Sequence, residues 1–228
     1  MGIVNKFQMK IKKVSAIDFI NVETLSHAYL LGLLWADGSV IFANNKAKTP
    51  QIKHSTKKED NIFFRKIFLN TGDWGIYETR NQGSFTKKNN ILEVNWTSNR
   101  ELGEFLIENN YRNKIKSPDK ILSKLNNIEK QLWFRGFFDG DGSVTIIPKG
   151  HHSIAFTGHK EQDWYFIIKL FNEIGINKYK ERIITSRGGF SSQIRITNKK
   201  DLNTFHKYLY NDSINISLSR KREKFKLL

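Results

Sequence analysis

Cysteine is absent from the 228 residues, which excludes disulfide bridges, thiolate metal sites and cysteine nucleophiles together. No long apolar run is present either: the longest, residues 28–36, falls far short of the roughly 20 residues that a membrane-spanning helix needs. The N-terminus has no apolar signal-like core, and Lys6 stands where a myristoylation signal carries Ser or Thr. The chain is therefore expected to be soluble and intracellular. Acidic residues are in the minority, 22 Asp and Glu against 38 Lys and Arg, giving a formal charge of +16 and a pI near 9.9. An excess of that size calls for a polyanionic partner, and nucleic acid fits better than a membrane surface because no basic amphipathic anchor stands out.

What the sequence does contain is a duplication. The stretch YLLGLLWADGSV at residues 29–40 returns as WFRGFFDGDGSV at residues 133–144. In each copy an apolar run of helix length carries two small residues four positions apart, Gly32 with Ala36 and Gly136 with Gly140. Residues at that spacing share a helix face, and small ones let two helix backbones approach closely. If a pseudo-twofold axis relates the copies, the two helices pack small face to small face and run the same way. Asp37 and Asp141 then meet at the C-terminal ends, where each macrodipole leaves roughly half a negative charge. Two carboxylates so placed are costly unless one is protonated or cations intervene, and a hard divalent ion such as Mg²⁺, which needs only one or two carboxylates, is the natural remedy.

The remaining pattern repeats in step with this motif. After the first copy come alternating runs near residues 39–43 and 51–55, a helical period over 58–70 stopped by Gly72, two further strands near 75–80 and 91–97, and a helix over 99–108. After the second copy come strands near 143–147 and 153–157, a helix over 160–174 stopped by Gly175, strands near 178–185 and 191–197, and a final helix over 201–210. Thr24 or Ser26 is the expected N-cap of the first motif helix. The connections include the turns Pro148-Lys149-Gly150 and Arg187-Gly188-Gly189 and the polar stretch 81–90. The expected fold is α+β: two αββαββα units in tandem, with two four-stranded antiparallel sheets making a saddle around the central motif helices. The expected layout is an arm at 1–25 carrying Lys6, Lys10, Lys12 and Lys13, a first unit at 26–110, a linker at 111–127 with a short helical piece after Pro118, a second unit at 128–212, and a frayed basic tail at 213–228.

Read in order, LLGLLWADG and FRGFFDGDG resemble the motif of the LAGLIDADG homing endonucleases, in the single-chain form with two motif copies. Departures from the motif fall at apolar or flanking positions, notably Trp35 where the second copy has Asp139. The resemblance implies that Asp37 and Asp141, each with the carbonyl of the preceding residue, Ala36 and Gly140, coordinate divalent metal under the scissile phosphates of the two strands. Mg²⁺ is the implied ion, with Mn²⁺ as a substitute and Ca²⁺ supporting binding without cleavage. It also implies a basic residue near each site at the start of the last helix of a unit, here Arg100 and Lys200, with Lys53 as a strand-borne candidate; plain phosphate neutralisation is the alternative for all three. The implied activity is cleavage of both strands of a long asymmetric duplex, on the order of 20 base pairs, by a monomer. An intron RNA maturase of the same fold and a non-cleaving DNA-binding protein are the alternatives. Bacterial or phage-encoded cytoplasmic proteins are the implied setting, with an organelle as the alternative.

The resemblance implies that one face of each sheet meets the DNA, an ordinary solvated face being the alternative. Alternation assigns Gln51, Lys53, Ser55, Glu93, Asn95 and Thr97 to that face in the first unit, and Lys180, Arg182, Gln193, Arg195 and Thr197 in the second. These are the side-chain types that read base edges in a major groove. Two competing motifs fail. The run Asp139-Gly140-Asp141-Gly142 lacks the Gly and Glu that a calcium loop needs at its sixth and twelfth positions, where Val144 and Gly150 stand. The pair His151-His152 sits in an expected turn with no partner at metal spacing.

Overall fold

The computed structural model describes residues 12–43, 47–80, 91–147, 152–186, 189–210 and 214–226. Lys6 and Lys10 of the arm, the stretch 81–90, the Pro148-Lys149-Gly150 turn, His151 and Arg187-Gly188 lie outside the described residues.

The first half runs α1 (Ala16–Ile20), α2 (Leu25–Ala36), β1 (Gly38–Ile41), β2 (Gln51–Lys57), a single 3-10 turn (Lys58–Asp60), α3 (Asn61–Leu69), β3 (Gly75–Arg80), β4 (Ile91–Ser98) and α4 (Arg100–Glu108). After the short α5 (Asp119–Leu122), the second half repeats the order with α6 (Asn127–Asp141), β5 (Ser143–Thr145), β6 (Ser153–His159), α7 (Tyr165–Glu173), β7 (Tyr179–Ser186), β8 (Gly189–Ile196) and α8 (Lys199–Tyr210). A further helix, α9 (Ser219–Lys226), follows. Each half has an antiparallel four-stranded sheet with the same strand order, β1-β2-β4-β3 and β5-β6-β8-β7. The fold is the expected α+β duplication.

Local chemistry explains most of the boundaries. Asn126 caps α6 through its side chain, and Glu129 returns a bond to the Asn126 N–H, a reciprocal capping box. Asn99 accepts from the Leu102 N–H at 2.9 Å and so starts α4. Thr24 is the N-cap of α2, but its hydroxyl bonds the His27 ring at 2.9 Å instead of a helix N–H. Gly72 and Gly175 follow α3 and α7 with φ of +138° and +77°, a region that favours glycine.

Two expectations are corrected here. The helix expected over 160–174 begins later, at Tyr165, because residues 160–164 form a turn whose Gln162 N–H bonds the His159 carbonyl. The basic tail is not frayed. Residues 219–226 form α9, with Phe225 packed on Phe138 and Phe205 and with Lys221 buried.

One continuous apolar core spans both halves. Trp35, Tyr111, Trp133 and Phe166 pack edge to face or tilted across the junction of the two motif helices. Among the described residues no helix is long and apolar enough to cross a membrane.

Candidate active site

Helices α2 and α6 meet through their glycines. A side chain on Gly32 would collide with the Trp133 carbonyl and the Phe137 N–H, and one on Gly136 would collide with the Tyr29 carbonyl and the Leu33 N–H. Tyr29 corresponds to Trp133, Leu33 to Phe137 and Gly32 to Gly136 at one shared offset of 104 residues. The contact is therefore its own image under the pseudo-twofold, and the helices run the same way. Farther along, Gly140 lies against Ala36 and beside the Asp37 carboxylate, so the small-residue positions Gly32, Ala36, Gly136 and Gly140 are all used at this interface. The interface sets the two motif aspartates side by side.

Both Asp37 and Asp141 are exposed, and neither takes a hydrogen bond or an ion pair from the described residues. Asp141 opens to the groove but is crowded by protein on its other sides. That loss of hydration, then the charge of Asp37, pushes its carboxyl up to about 7, against the pull of Lys114 and Lys221. Two open oxygen donors, neither engaged by a hydrogen bond or an ion pair among the described residues, form a set that suits a hard divalent cation.

The lysines close to this charge are not the ones expected. Lys114 Nζ donates to the carbonyls of Ala36, at 3.0 Å, and Gly38. Lys221 Nζ donates to those of Phe138, Gly140 and Gly142 at 2.8, 2.8 and 2.6 Å. Each lysine thus caps the carbonyls that a helix leaves unpaired at its C-terminal end. Burial pulls both ammonium groups down to about 8; the opposing charges are chiefly Asp141 for Lys114 and Asp139, then Asp37, for Lys221. The Ala36 and Gly140 carbonyls, which the resemblance implies as metal ligands, are already engaged by these lysines. A carbonyl has a second lone pair, so a cation is not shut out.

Arg100 instead pairs with Glu104 at 2.8 Å on exposed α4, and Lys200 lines an open surface cleft with Lys199, Asn203 and Lys207. The structure brings neither to the aspartates. Lys53 lies on the open face of β2, opposite Ser39 and Trp96. Sequence reasoning passed over Lys114 and Lys221 because both lie past the last helix of their unit, one in the linker and one in the tail. The signal was their spacing from the motif aspartates, 114 − 37 = 77 and 221 − 141 = 80.

Two clefts of similar size flank the aspartates. One, of about 350 Å³, is lined by Asp141, Lys114, Trp35 and Gln162; the other, of about 370 Å³, by Asp37, Lys221, His54, Asp60 and Arg220. Each therefore joins the carboxylate of one half to the lysine of the other.

Behind the motif, Asp139 is buried and accepts from the Tyr29 hydroxyl at 2.7 Å, the Tyr210 hydroxyl at 2.9 Å and the Leu218 N–H at 2.8 Å. Burial pushes its carboxyl up, and these donors oppose the shift. Arg135 donates to the Ile214 and Ile216 carbonyls, so the second motif helix holds the segment leading to α9.

The sheet faces divide differently from expectation in the first half. Gln51, Lys53 and Ser55 are on the open face, whereas Ile52 and His54 are buried, with the His54 ring against Phe64 and Phe68 of α3. Register pairs Thr97 with Ile52, Asn95 with His54 and Glu93 with Thr56. Directly paired residues share a face, so Glu93, Asn95 and Thr97 point to the helices and Leu92, Val94 and Trp96 to the groove. Glu93 is buried and takes Arg65 Nε at 2.7 Å, a helix-side contact. In the second half the side chains of β6, β7 and β8 away from the helices join one another: Arg182 Nη2 donates to Gln193 at 2.8 Å, Gln193 to Thr157 at 3.1 Å and Arg195 to Ser153 at 2.7 Å. Lys180 is paired with Arg195, and Thr197 lies just past the end of β8.

Comparison with known proteins agrees with this fold. Residues 129–210 match the LAGLIDADG-like domain family. No curated protein sequence matches the chain. Among solved structures, I-DmoI in complex with DNA and calcium is similar at a TM-score of 0.56 and 15% identity, over 91% of this chain and 100% of that one. The homing endonuclease I-WcaI bound to its DNA recognition sequence gives 0.55 and 18%, over 92% and 88%. A variant of I-DmoI with its target DNA and magnesium gives 0.53 and 16%, over 85% and 99%.

Proposed function

On the premise that the chain carries a LAGLIDADG-like domain and the fold of the single-chain LAGLIDADG homing endonucleases, we propose that it is a site-specific DNA endonuclease. It acts as a monomer and hydrolyses one phosphodiester bond in each strand of a long asymmetric duplex. The observation that carries this reading is the pair of open carboxylates, Asp37 and Asp141, held side by side by glycine-to-glycine helix packing, with Lys114 and Lys221 beside them.

Asp37 and Asp141 would hold divalent metal, Mg²⁺ in this proposal, which when bound activates water and stabilises the charge of the transition state and the leaving oxygen. Structures of I-DmoI with calcium and of its variant with magnesium support a divalent ion in this fold. The chain's own contribution is placement and charge. The two lysines, still cationic at neutral pH with pKa values of about 8, put positive charge at the floor of a groove that must accept phosphates. Preorganised charge of that kind needs no rearrangement when the phosphoryl charge develops. The sheet side chains fix register on the duplex: Gln51, Lys53 and Ser55 on one side of the saddle, Lys180, Arg182, Gln193 and Arg195 on the other.

The test is digestion of a randomised duplex-DNA library with Mg²⁺, with Ca²⁺ or with EDTA, followed by sequencing of the ends. Breaks at one recurring long site with Mg²⁺ alone are expected. No breaks under any condition would overturn the proposal.

A further inference from the structure

Each of the two lysine-bearing segments is also braced by the opposite half of the molecule. Arg220, next to Lys221 in the first turn of α9, makes a two-pronged contact with Asp60 of the first half, Nε to Oδ1 at 2.9 Å and Nη2 to Oδ2 at 2.8 Å. Asp60 is buried and closes the turn after β2. On the other side the Lys114 carbonyl accepts from Gln162 Nε2 at 2.7 Å, and the Ile115 carbonyl accepts from the Asp163 N–H at 2.9 Å. Gln162 and Asp163 lie in the turn after β6 of the second half.

Asp60 and Asp163 occupy corresponding places: 163 − 60 = 103, the same offset that separates Gly72 from Gly175. The arrangement is thus one device used twice, built from different side chains. In each cleft the half that supplies the aspartate also supplies the brace, and it draws in the lysine of its partner half. Asp37 and Asp60 belong to the cleft with Lys221; Asp141 and Gln162 belong to the cleft with Lys114.

We propose that Asp60 and Gln162 are positioning residues, each seating the other half's lysine in its own half's cleft, so that the cut of each strand depends on one brace. This rests on the endonuclease reading above. A bidentate guanidinium–carboxylate contact fixes both distance and orientation, which a single long lysine side chain cannot do for itself. Reacting groups tolerate little displacement, and a shift of about 1 Å can cost on the order of 100-fold in rate.

The experiment is single-turnover cleavage of a duplex site recovered from the library, with each strand labelled separately, in Mg²⁺. Wild type, Lys114→Met, Lys221→Met, Asp60→Asn, Arg220→Gln and Gln162→Ala are compared, with affinity measured in Ca²⁺. Asp60→Asn and Arg220→Gln are expected to slow the strand that Lys221→Met slows, on the order of 10- to 100-fold, and to leave the other strand near the wild-type rate. Gln162→Ala is expected to slow the strand that depends on Lys114. Affinity should stay within about twofold, since the phosphate contacts of the saddle remain. Equal slowing of both strands, slowing of the wrong strand, or no change in any brace variant would overturn the inference. Half-exposed Arg220 provides the test if Asp60→Asn does not fold. Failure of the wild-type protein to cut either strand would instead strike at the endonuclease reading itself.

Discussion

Lys221 donates from Nζ to the carbonyl oxygen of Gly140 at 2.8 Å, the backbone group immediately before Asp141. Lys114 stands 3.0 Å from the carbonyl of Ala36, the group immediately before Asp37. The two contacts are images of one another, and in the proposed endonuclease they place a cation where phosphate approaches the two carboxylates. Replacing either lysine by Met keeps most of the apolar stem and removes the charge. Each variant is expected to lose on the order of 100-fold in the cutting rate of one strand while keeping affinity in Ca²⁺. Strand-resolved kinetics checks this; an unchanged rate in both strands would remove that lysine from the chemistry.

The helix contact predicts a stability effect with a clear origin. Gly136→Ala would place a methyl group on the Tyr29 carbonyl, and backbone cannot yield as a flexible side chain can. A loss of about 3 kcal/mol is expected, read as a lowered midpoint in urea. A variant as stable as wild type would mean that the motif helices lie farther apart than described.

His54 gives a pH dependence. It is buried against Phe64 and Phe68, neither ring nitrogen has a partner among the described residues, and burial lowers its pKa to about 4. The folded state thus holds it neutral, whereas the unfolded chain protonates near 6.5. Its contribution is intact above about 6.5 and is lost as pH falls toward 4, by about 3 kcal/mol at most. Phe156 is the corresponding residue of the second half, aligned through Ile52 and Ile154. His54→Phe is expected to raise stability at neutral pH by about 1 kcal/mol, because unpaired buried nitrogens vanish, and to flatten the acid limb. Denaturant midpoints measured from pH 7 to pH 4 decide it; an unchanged acid limb would show that other groups govern it.

Sheet register separates readers from non-readers. Arg195, on the groove face, is expected to contribute base or phosphate contacts, so Arg195→Ala should cost about 1 to 3 kcal/mol in binding. Asn95, on the helix face and fully buried, should leave sequence preference unchanged when replaced by Ala. Binding-site selection on both variants tests the division. A changed preference for the Asn95 variant alone would reverse the face assignment.

Much of this was legible in the sequence for physical reasons. Glycines four residues before Ala36 and Gly140 mark a backbone-to-backbone helix contact, and few other arrangements need them. The strand pairs and the stops at Gly72 and Gly175 follow from alternation and positive φ. The face of β4 was not legible. Val94 and Trp96 alternate like core residues, yet Trp96 lies over Gly75 on the groove side, while Glu93 is stabilised beneath by Arg65. A charged residue in a strand looks exposed until its partner on another element is known. The tail failed for the same reason: Arg220-Lys221-Arg222 has the composition of a solvated run. Burial of Lys221 depends on three carbonyls at the end of α6, which sequence alone does not bring to it.

The central claim is that Asp37 and Asp141 make the cutting centre, and one comparison tests it most directly. Wild type and the Asp37→Asn, Asp141→Asn double variant are incubated with the recovered duplex site in Mg²⁺, with binding followed in parallel in Ca²⁺. Wild type should break both strands at that site, and the double variant should bind it but break neither. A double variant that still made the double-strand break would place the chemistry elsewhere in the molecule.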